Sequence, residues 1–125
     1  MSDRQPWVSN YLAAWNEDDE SNRQASAYQL FVTEARYVDP LVVADGRDEI
    51  VGTMAGAREQ FPGWTFRQVG ETDAHGEVAR FRWTLSPNGT EDEDEAPVIG
   101  FDVVTFDPDG RARSVVGFLD KVPAA

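Results

Sequence analysis

Cysteine is absent from the sequence, and histidine and lysine each occur once, at His75 and Lys121. Without cysteine the chain has no disulfide, no thiol nucleophile and no thiolate ligand for a metal. It also has no apolar run that approaches the roughly 20 residues of a membrane-spanning helix. Its first residues, Met1 to Pro6, lack the basic and apolar parts of a secretory signal peptide. We therefore expect a cytoplasmic protein that does not span a membrane.

Positive charge is scarce as well. The chain has 23 acidic and 11 basic residues, a net charge of −12, and a pI of about 4.3. Such a surface repels the phosphates of nucleic acids and of anionic membranes, so neither is an expected partner. The simplest interpretation of the acidic excess is solubility. With 125 residues, 41% of them hydrophobic, the chain can bury one core, and we expect a single domain over residues 1–125.

Apolar residues recur at helical spacing through the first half of the chain. This spacing predicts a first helix over residues 6–17 and a third over residues 45–61, before a Pro-Gly pair. A second helix is predicted to begin near Ser21, which forms a capping-box pattern with Gln24, and to carry Tyr28 and Phe31 on its inward face. Residues 35–40 are typical of a short strand that ends at a proline.

The period changes from 3.6 to 2 after residue 63, which predicts strands over residues 64–72, 78–85, 98–106 and 113–121. In the second of these, alternation places Arg80, Arg82 and Thr84 on the face opposite Phe81 and Trp83. Helices followed by an antiparallel meander indicate an α+β architecture. A strongly curved sheet under the helices would leave a concavity, where ligand pockets commonly form.

Two carboxylates stand at positions unusual for a purely structural residue. Asp102 lies inside an otherwise apolar strand, on the same predicted face as Gly100, whose missing side chain would leave room beside it. A buried carboxylate must be paired, hydrogen-bonded or protonated. Pairing with Arg80 or Arg82, or a position facing solvent, would account for Asp102 without a function. Asp39 precedes a proline, so a structural role in a turn is the alternative there.

The chain resembles the SnoaL-like family of the nuclear transport factor two-like superfamily. The resemblance spans about residues 11–120 and rests on these segments: Tyr11-Leu12-Ala13-Ala14-Trp15-Asn16, Tyr37-Val38-Asp39-Pro40, Gly46-Arg47-Asp48-Glu49-Ile50, Phe61-Pro62-Gly63-Trp64, Ala79-Arg80-Phe81-Arg82-Trp83, Phe101-Asp102-Val103-Val104-Thr105-Phe106-Asp107 and Asp109-Gly110-Arg111. It implies a cone-like curved antiparallel sheet with three N-terminal helices that enclose an apolar pocket. Because proteins with this fold catalyse many different reactions, the resemblance specifies the fold much better than it specifies the function.

Within that superfamily, the ketosteroid isomerases offer a comparison residue by residue. Their base is the Asp of an Asp-Pro pair at the end of the first strand, which Asp39 matches. Their oxyanion hole uses a Tyr on the first helix and an Asp in a later strand, matched by Tyr11 and Asp102. The resemblance therefore implies acid-base catalysis by these three residues without a metal or an organic cofactor. The tyrosines that support the catalytic Tyr in those enzymes are replaced here by Phe31 and Met54.

The resemblance also implies a small apolar ligand. We predict the pocket wall at Trp15, Tyr37, Trp64, Trp83 and Phe118. His75 is interpreted either as an ordinary turn residue or as a residue near the pocket mouth. The limonene epoxide hydrolase pattern fits less well, because Gly117 stands where those enzymes have an Asp in the last strand.

Two functions stay open at this point. One is an isomerase, cyclase or dehydratase that acts on an apolar carbonyl compound; the other is a non-catalytic ligand-binding or dimerisation domain. Members of the superfamily often pair through the outer face of the sheet, so the resemblance implies a homodimer. The arginines predicted on that face would make such an interface more polar than usual.

Overall fold

Three helices cover one face of a curved six-stranded sheet in the structure, a computed structural model that describes residues 3–123. The helices are α1 (Gln5–Asn16), α2 (Glu20–Leu30) and α3 (Arg47–Gln60). The strands are β1 (Phe31–Val38), β2 (Val43–Asp45), β3 (Trp64–His75), β4 (Val78–Pro87), β5 (Val98–Phe106) and β6 (Ala112–Lys121). A 3₁₀ turn, Glu93–Glu95, lies between β4 and β5. The α+β prediction is confirmed, and the first and last two positions of the predicted domain lie outside the described residues.

The sheet is mixed, in contrast to the predicted antiparallel one. Its strand order is β2-β1-β6-β5-β4-β3, and β1 runs parallel to β6 while every other neighbouring pair is antiparallel. Alternation of apolar residues reveals which face of a strand is buried but not the direction of its partner. The chain leaves β1 through the short β2 and crosses to the far edge through α3, so the last strand of the meander returns beside β1.

The junction between α2 and β1 also differs from the prediction. Asp19, and not Ser21, caps α2, because its carboxylate accepts a hydrogen bond from the backbone N–H of Asn22 at 2.9 Å. The helix ends at Leu30, and Phe31 is already extended and begins β1. Tyr28, which was predicted to face inward, is 42% exposed, and its ring lies under the Arg47 guanidinium at 3.7 Å.

The first helix is fixed to the sheet by two kinds of contact. Tyr11 is fully buried, and its ring packs against Phe81 of β4 at 5.9 Å and against Phe31 of β1 at 6.0 Å between ring centroids. At the end of α1, the Asn16 side chain makes a paired interaction with the backbone of Phe66 in β3, donating at 2.9 Å and accepting at 2.7 Å. These contacts set the distance between α1 and the inner face of the sheet. In the described part of the chain, no helix is long and apolar enough to cross a membrane.

Candidate functional site

A cavity of about 840 Å³ lies between the helices and the inner face of the sheet. A volume of this size is typical of pockets for small molecules. Leu41 and Val122 line it and are 81% and 57% exposed, so they lie at its mouth. Most of the remaining wall is apolar or aromatic and comprises Leu12, Trp15, Val42, Ala57, Phe61, Phe66, Trp83, Leu85, Val98 and Leu119. The polar groups are concentrated at Tyr11, Tyr37, Asp39 and Asp102, with Thr53 and Gln60 on α3.

Asp102 is the buried carboxyl group of this cavity. Strand β5 buries every second residue, and Asp102 falls on that inner face with only 3% of its surface exposed. Its Oδ1 accepts a hydrogen bond from Trp83 Nε1 at 3.1 Å, and its Oδ2 lies 3.3 Å from the Tyr11 hydroxyl. Neither partner carries a charge. The alternatives of an arginine partner or a solvent-facing position are therefore wrong, and Arg80 instead pairs with Asp73.

The surroundings of Asp102 favour its uncharged form. Burial raises the pKa of Asp102 from its ordinary value of 3.8 to about 7. The hydrogen bonds from Trp83 and Tyr11 act in the opposite direction, and the nearby Asp39 carboxylate adds to the increase. A carboxyl group that titrates near neutral pH can act as either a proton donor or an acceptor.

Two glycines shape the site around this carboxyl group. Gly117 in β6 faces Asp102 in the strand register, and a Cβ there would lie 2.9 Å from Asp102 Oδ1 and 3.4 Å from Asp39 Cβ. Gly100 faces Trp83 in the register, and a Cβ there would lie 2.4 Å from the indole ring. Gly117 therefore lets the two carboxyl groups approach. The space at Gly100, predicted to serve Asp102, is occupied by the indole ring of Trp83.

Asp39 holds a turn and also lines the cavity. Its Oδ1 accepts from the backbone N–H groups of Leu41 and Val42 at 2.8 and 2.9 Å. Its Oδ2 accepts from the Tyr37 hydroxyl at 2.6 Å. Oδ1 of Asp39 therefore has the structural role in a turn that the sequence analysis gave as the alternative. The other oxygen belongs to the cavity and is engaged by a phenol.

Both phenols of the site are held in their neutral form. Burial raises the pKa of Tyr11 and of Tyr37, and the Asp102 carboxyl raises both further. The Trp15 indole N–H is buried and makes no hydrogen bond of acceptable geometry, although it lies close enough to Tyr11 to lower the pKa of that phenol somewhat. Tyr11 and Tyr37 are therefore available as hydrogen-bond donors throughout the neutral pH range.

The structure brings six of the predicted site residues to one cavity: Tyr11, Trp15, Tyr37, Asp39, Trp83 and Asp102. Three others do not line it. Phe118 lies on the outer face of β6, 46% exposed, because alternation there turns its neighbour Gly117 inward. Trp64 packs on Phe61 at 5.1 Å between ring centroids. His75 is exposed at the end of β3, one residue before the turn.

Several cavity residues were not identified from the sequence. Phe66, Leu85, Val98 and Leu119 lie on the inward positions of their strands, so the alternation pattern contained a signal for them. The contact of Trp83 with Asp102 had no such signal, because it depends on how the indole crosses β5. Among the described residues, no group of three or more His, Asp or Glu side chains is arranged to hold a metal ion.

Comparison with known proteins agrees with this geometry. A family model described as the SnoaL-like domain matches residues 8–115. A candidate isomerase of the SnoaL-like family from Agrobacterium tumefaciens strain C58 is 38% identical, with a TM-score of 0.87, and the match covers 96% of this chain and 99% of that one. Comparison with curated proteins gives no match.

More distant solved structures share the fold. A candidate polyketide cyclase from Sinorhizobium meliloti is 19% identical, covers 90% of this chain and 93% of that one, and has a TM-score of 0.68. A protein with a ketosteroid isomerase-like fold from Catenulispora acidiphila, solved with trimethylamine, is 17% identical, covers 90% and 84%, and has a TM-score of 0.71. The predicted nuclear transport factor two-like fold is confirmed, except for the parallel pairing of β1 with β6.

Proposed function

The chain belongs to the SnoaL-like domain family, and on that premise we propose that it binds a small apolar carbonyl compound and catalyses an isomerisation, cyclisation or dehydration by acid-base chemistry. The observation that carries this proposal is the approach, across Gly117, of two carboxyl groups: the buried Asp102, whose pKa is raised by burial to about 7, and Asp39. A buried carboxyl group that titrates near neutral pH is typical of acid-base sites.

The proposed reaction begins with removal of a proton from the carbon next to the carbonyl. Oδ2 of Asp39 accepts that proton once Tyr37 turns its hydroxyl away, and the C–H electron pair forms the new C=C bond of an enolate. The carbonyl π electrons move to oxygen, where the Tyr11 hydroxyl donates a hydrogen bond. Return of the proton from Asp39 to another carbon completes an isomerisation. In a low-dielectric cavity, such a donor stabilises the enolate more strongly than it would in water.

Hydrogen exchange tests the first step without knowledge of the natural substrate. 1-Tetralone or a β,γ-unsaturated steroid ketone is incubated with the protein in D₂O, and deuterium incorporation at the α-carbon is followed by NMR. We expect exchange by the wild type, with a loss of about 100-fold or more in Asp39→Asn and of about 100-fold in Tyr11→Phe. Asp120→Asn, an exposed carboxylate on β6, is the matched control and is expected to retain exchange.

A second function is supported by a separate observation. Both oxygens of Asp39 already accept hydrogen bonds, so a substrate proton can reach this carboxylate only after one of these hydrogen bonds is displaced. A protein that binds the carbonyl compound and releases it unchanged would need no free base. Thermal stabilisation by the ketone, combined with no deuterium incorporation by the wild type, would establish this binding function and refute the enzymatic one.

We also propose that a second copy of the chain covers the outer face of the sheet. Phe101 and Phe118 stack there at 4.9 Å between centroids, and Val116 beside them is also exposed. An exposed apolar cluster on a sheet is more stable when buried against another surface. Light scattering after size exclusion is expected to give a dimer for the wild type and a shift towards monomer for Phe118→Ser. A monomeric wild type would contradict the proposal.

A further inference from the structure

The position of the Trp83 indole determines how Asp102 can carry its proton. The ring lies over Gly100, where even a single methyl group would overlap it, and Phe66 packs on it at 5.4 Å with the ring planes 63° apart. These contacts direct Nε1 towards Asp102 two residues along β5, to a distance of 3.1 Å from Oδ1. The indole orientation is thus fixed from both sides, by a strand backbone and by a neighbouring ring.

An indole N–H is always a donor and never an acceptor. Oδ1 of Asp102 must therefore accept from Trp83 in every protonation state. In a carboxylic acid the carbonyl oxygen is the better acceptor, so the neutral form carries its proton on the other oxygen, Oδ2. That oxygen lies 3.3 Å from the Tyr11 hydroxyl, within reach of a hydrogen bond in either direction.

The direction of this second hydrogen bond decides what Tyr11 can offer to a ligand. When Asp102 is ionised, the Tyr11 O–H donates to Oδ2 and is occupied. When Asp102 is neutral, Oδ2–H donates to the Tyr11 oxygen, and the Tyr11 O–H becomes free to point into the cavity.

We propose that Trp83 is a positioning residue that places the Asp102 proton on Oδ2. Asp102 then donates a hydrogen bond to the Tyr11 oxygen, and the Tyr11 hydroxyl donates to the ligand oxygen. The inference concerns the ligand-free protein, and only its consequence for the ligand rests on the proposed function. The titratable groups that face Asp102 are Tyr11 from α1, Tyr37 from β1 and Asp39 from the turn that follows β1. Strand β4 contributes the uncharged indole, and β6 contributes Gly117.

Nuclear magnetic resonance of the ligand-free protein tests the positioning directly. In protein labelled with ¹⁵N-tryptophan, we expect the Trp83 indole signal to move with pH around a midpoint near 7. In Asp102→Asn the signal is expected to stay at its low-pH position, because the amide mimics the neutral acid, with its oxygen towards the indole. A Trp83 signal that does not respond to pH in the wild type would overturn the inference.

Trp83→Phe removes the N–H while keeping an aromatic ring over Gly100. The Asp102 titration, followed by its ¹³C carboxyl signal, is expected to move to higher pH, since the lost hydrogen bond had favoured the ionised form. Trp64→Phe is the matched control, because Trp64 lies outside the cavity wall, and it is expected to leave the midpoint unchanged. An unchanged midpoint in Trp83→Phe would also overturn the inference.

The consequence for ligands is tested with 1-tetralone as the probe. If the free Tyr11 hydroxyl receives the ketone oxygen, affinity falls about tenfold per pH unit above the Asp102 midpoint. In Asp102→Asn this loss with pH is expected to disappear. Failure of the ketone to bind at any pH, with the indole and carboxyl titrations as expected, would refute the proposed function and leave the role of Trp83 established. Binding to the wild type without pH dependence would refute the role of Tyr11 as the switched donor.

Discussion

Replacement of Asp102 by asparagine should make the protein more stable at neutral pH. In the unfolded chain this carboxyl group titrates near its ordinary pKa of 3.8, and in the folded protein its pKa is about 7. Between these two values the folded protein keeps a proton that the unfolded chain has lost, so stability falls as the pH rises. Asparagine has nearly the same shape and no charge, so the variant does not share this loss.

The size of the effect follows from the separation of the two pKa values. Each pH unit between about 4 and 7 costs the wild type about 1.4 kcal/mol, and the accumulated difference reaches about 4 kcal/mol above pH 7. A small domain has a free energy of unfolding of about 5–15 kcal/mol, so the change is a large fraction of the total. Below about pH 4 both states are protonated, and the two proteins should differ by no more than about 1 kcal/mol.

Urea denaturation at a series of pH values measures this difference, with the free energy of unfolding compared between variant and wild type. Asp120→Asn removes one carboxylate from the exposed end of β6 and corrects for the change in net charge. If the stability difference between Asp102→Asn and the wild type did not change with pH, the assignment of Asp102 as a buried neutral acid would be refuted. A variant less stable than the wild type at pH 8 would show that the ionised carboxylate is instead the form that the fold stabilises.

Three further substitutions test how the cavity is built. Gly117→Ala introduces a methyl group 2.9 Å from Asp102 Oδ1, so it should lower the free energy of unfolding by about 1–3 kcal/mol and weaken ketone binding; equal stability and binding in calorimetry would contradict the close approach of the two carboxyl groups. Asn16→Ala removes both hydrogen bonds to the Phe66 backbone and should cost about 1–3 kcal/mol in urea denaturation, with faster amide exchange at Phe66; an unchanged exchange rate would show that α1 is held by its apolar contacts alone. Gly52→Ala lies in α3, where a Cβ meets nothing within 4 Å, and should raise stability by about 0.4–1 kcal/mol; a lower melting temperature would contradict the open space at that position.

The sequence identified most elements of the fold because their signals are local. Strand β5 was predicted at the bounds that the structure has, Val98–Phe106, since alternation and flanking turn residues define it completely. Helices α1 and α3 were predicted to within about two residues at each end. The start of β1 was missed because Phe31 also suits the apolar stripe of the preceding helix, and only its extended backbone distinguishes the two.

Asp102 could likewise be singled out from the sequence, because a carboxylate between apolar strand residues is unusual, but a buried and a solvent-facing position both stayed open there, and the structure shows the buried one. The hydrogen-bond partners of Asp102 could not be predicted from the sequence. The predicted arginines and the actual indole are all on β4, and alternation already places them on opposite faces of that strand. No pattern among neighbouring residues in the sequence, however, shows that the Trp83 ring crosses Gly100 to reach Asp102. The wrong assignment of Phe118 to the pocket has a related cause, since an aromatic residue in a strand gives no indication of which face is concave.

The sequence by itself thus determined the α+β class, the family, the two faces of β4 and six residues that line the cavity: Tyr11, Trp15, Tyr37, Asp39, Trp83 and Asp102. Tertiary structure decided that β1 pairs in parallel with β6, which brings the turn at Asp39 beside Gly117 and hence close to Asp102. It also decided that no cationic side chain among residues 3–123 acts on Asp102, which is why burial dominates its pKa. The physical reason is that propensity and periodicity act over a few neighbouring residues, whereas the environment of a buried charge depends on the side chains that distant segments bring to it.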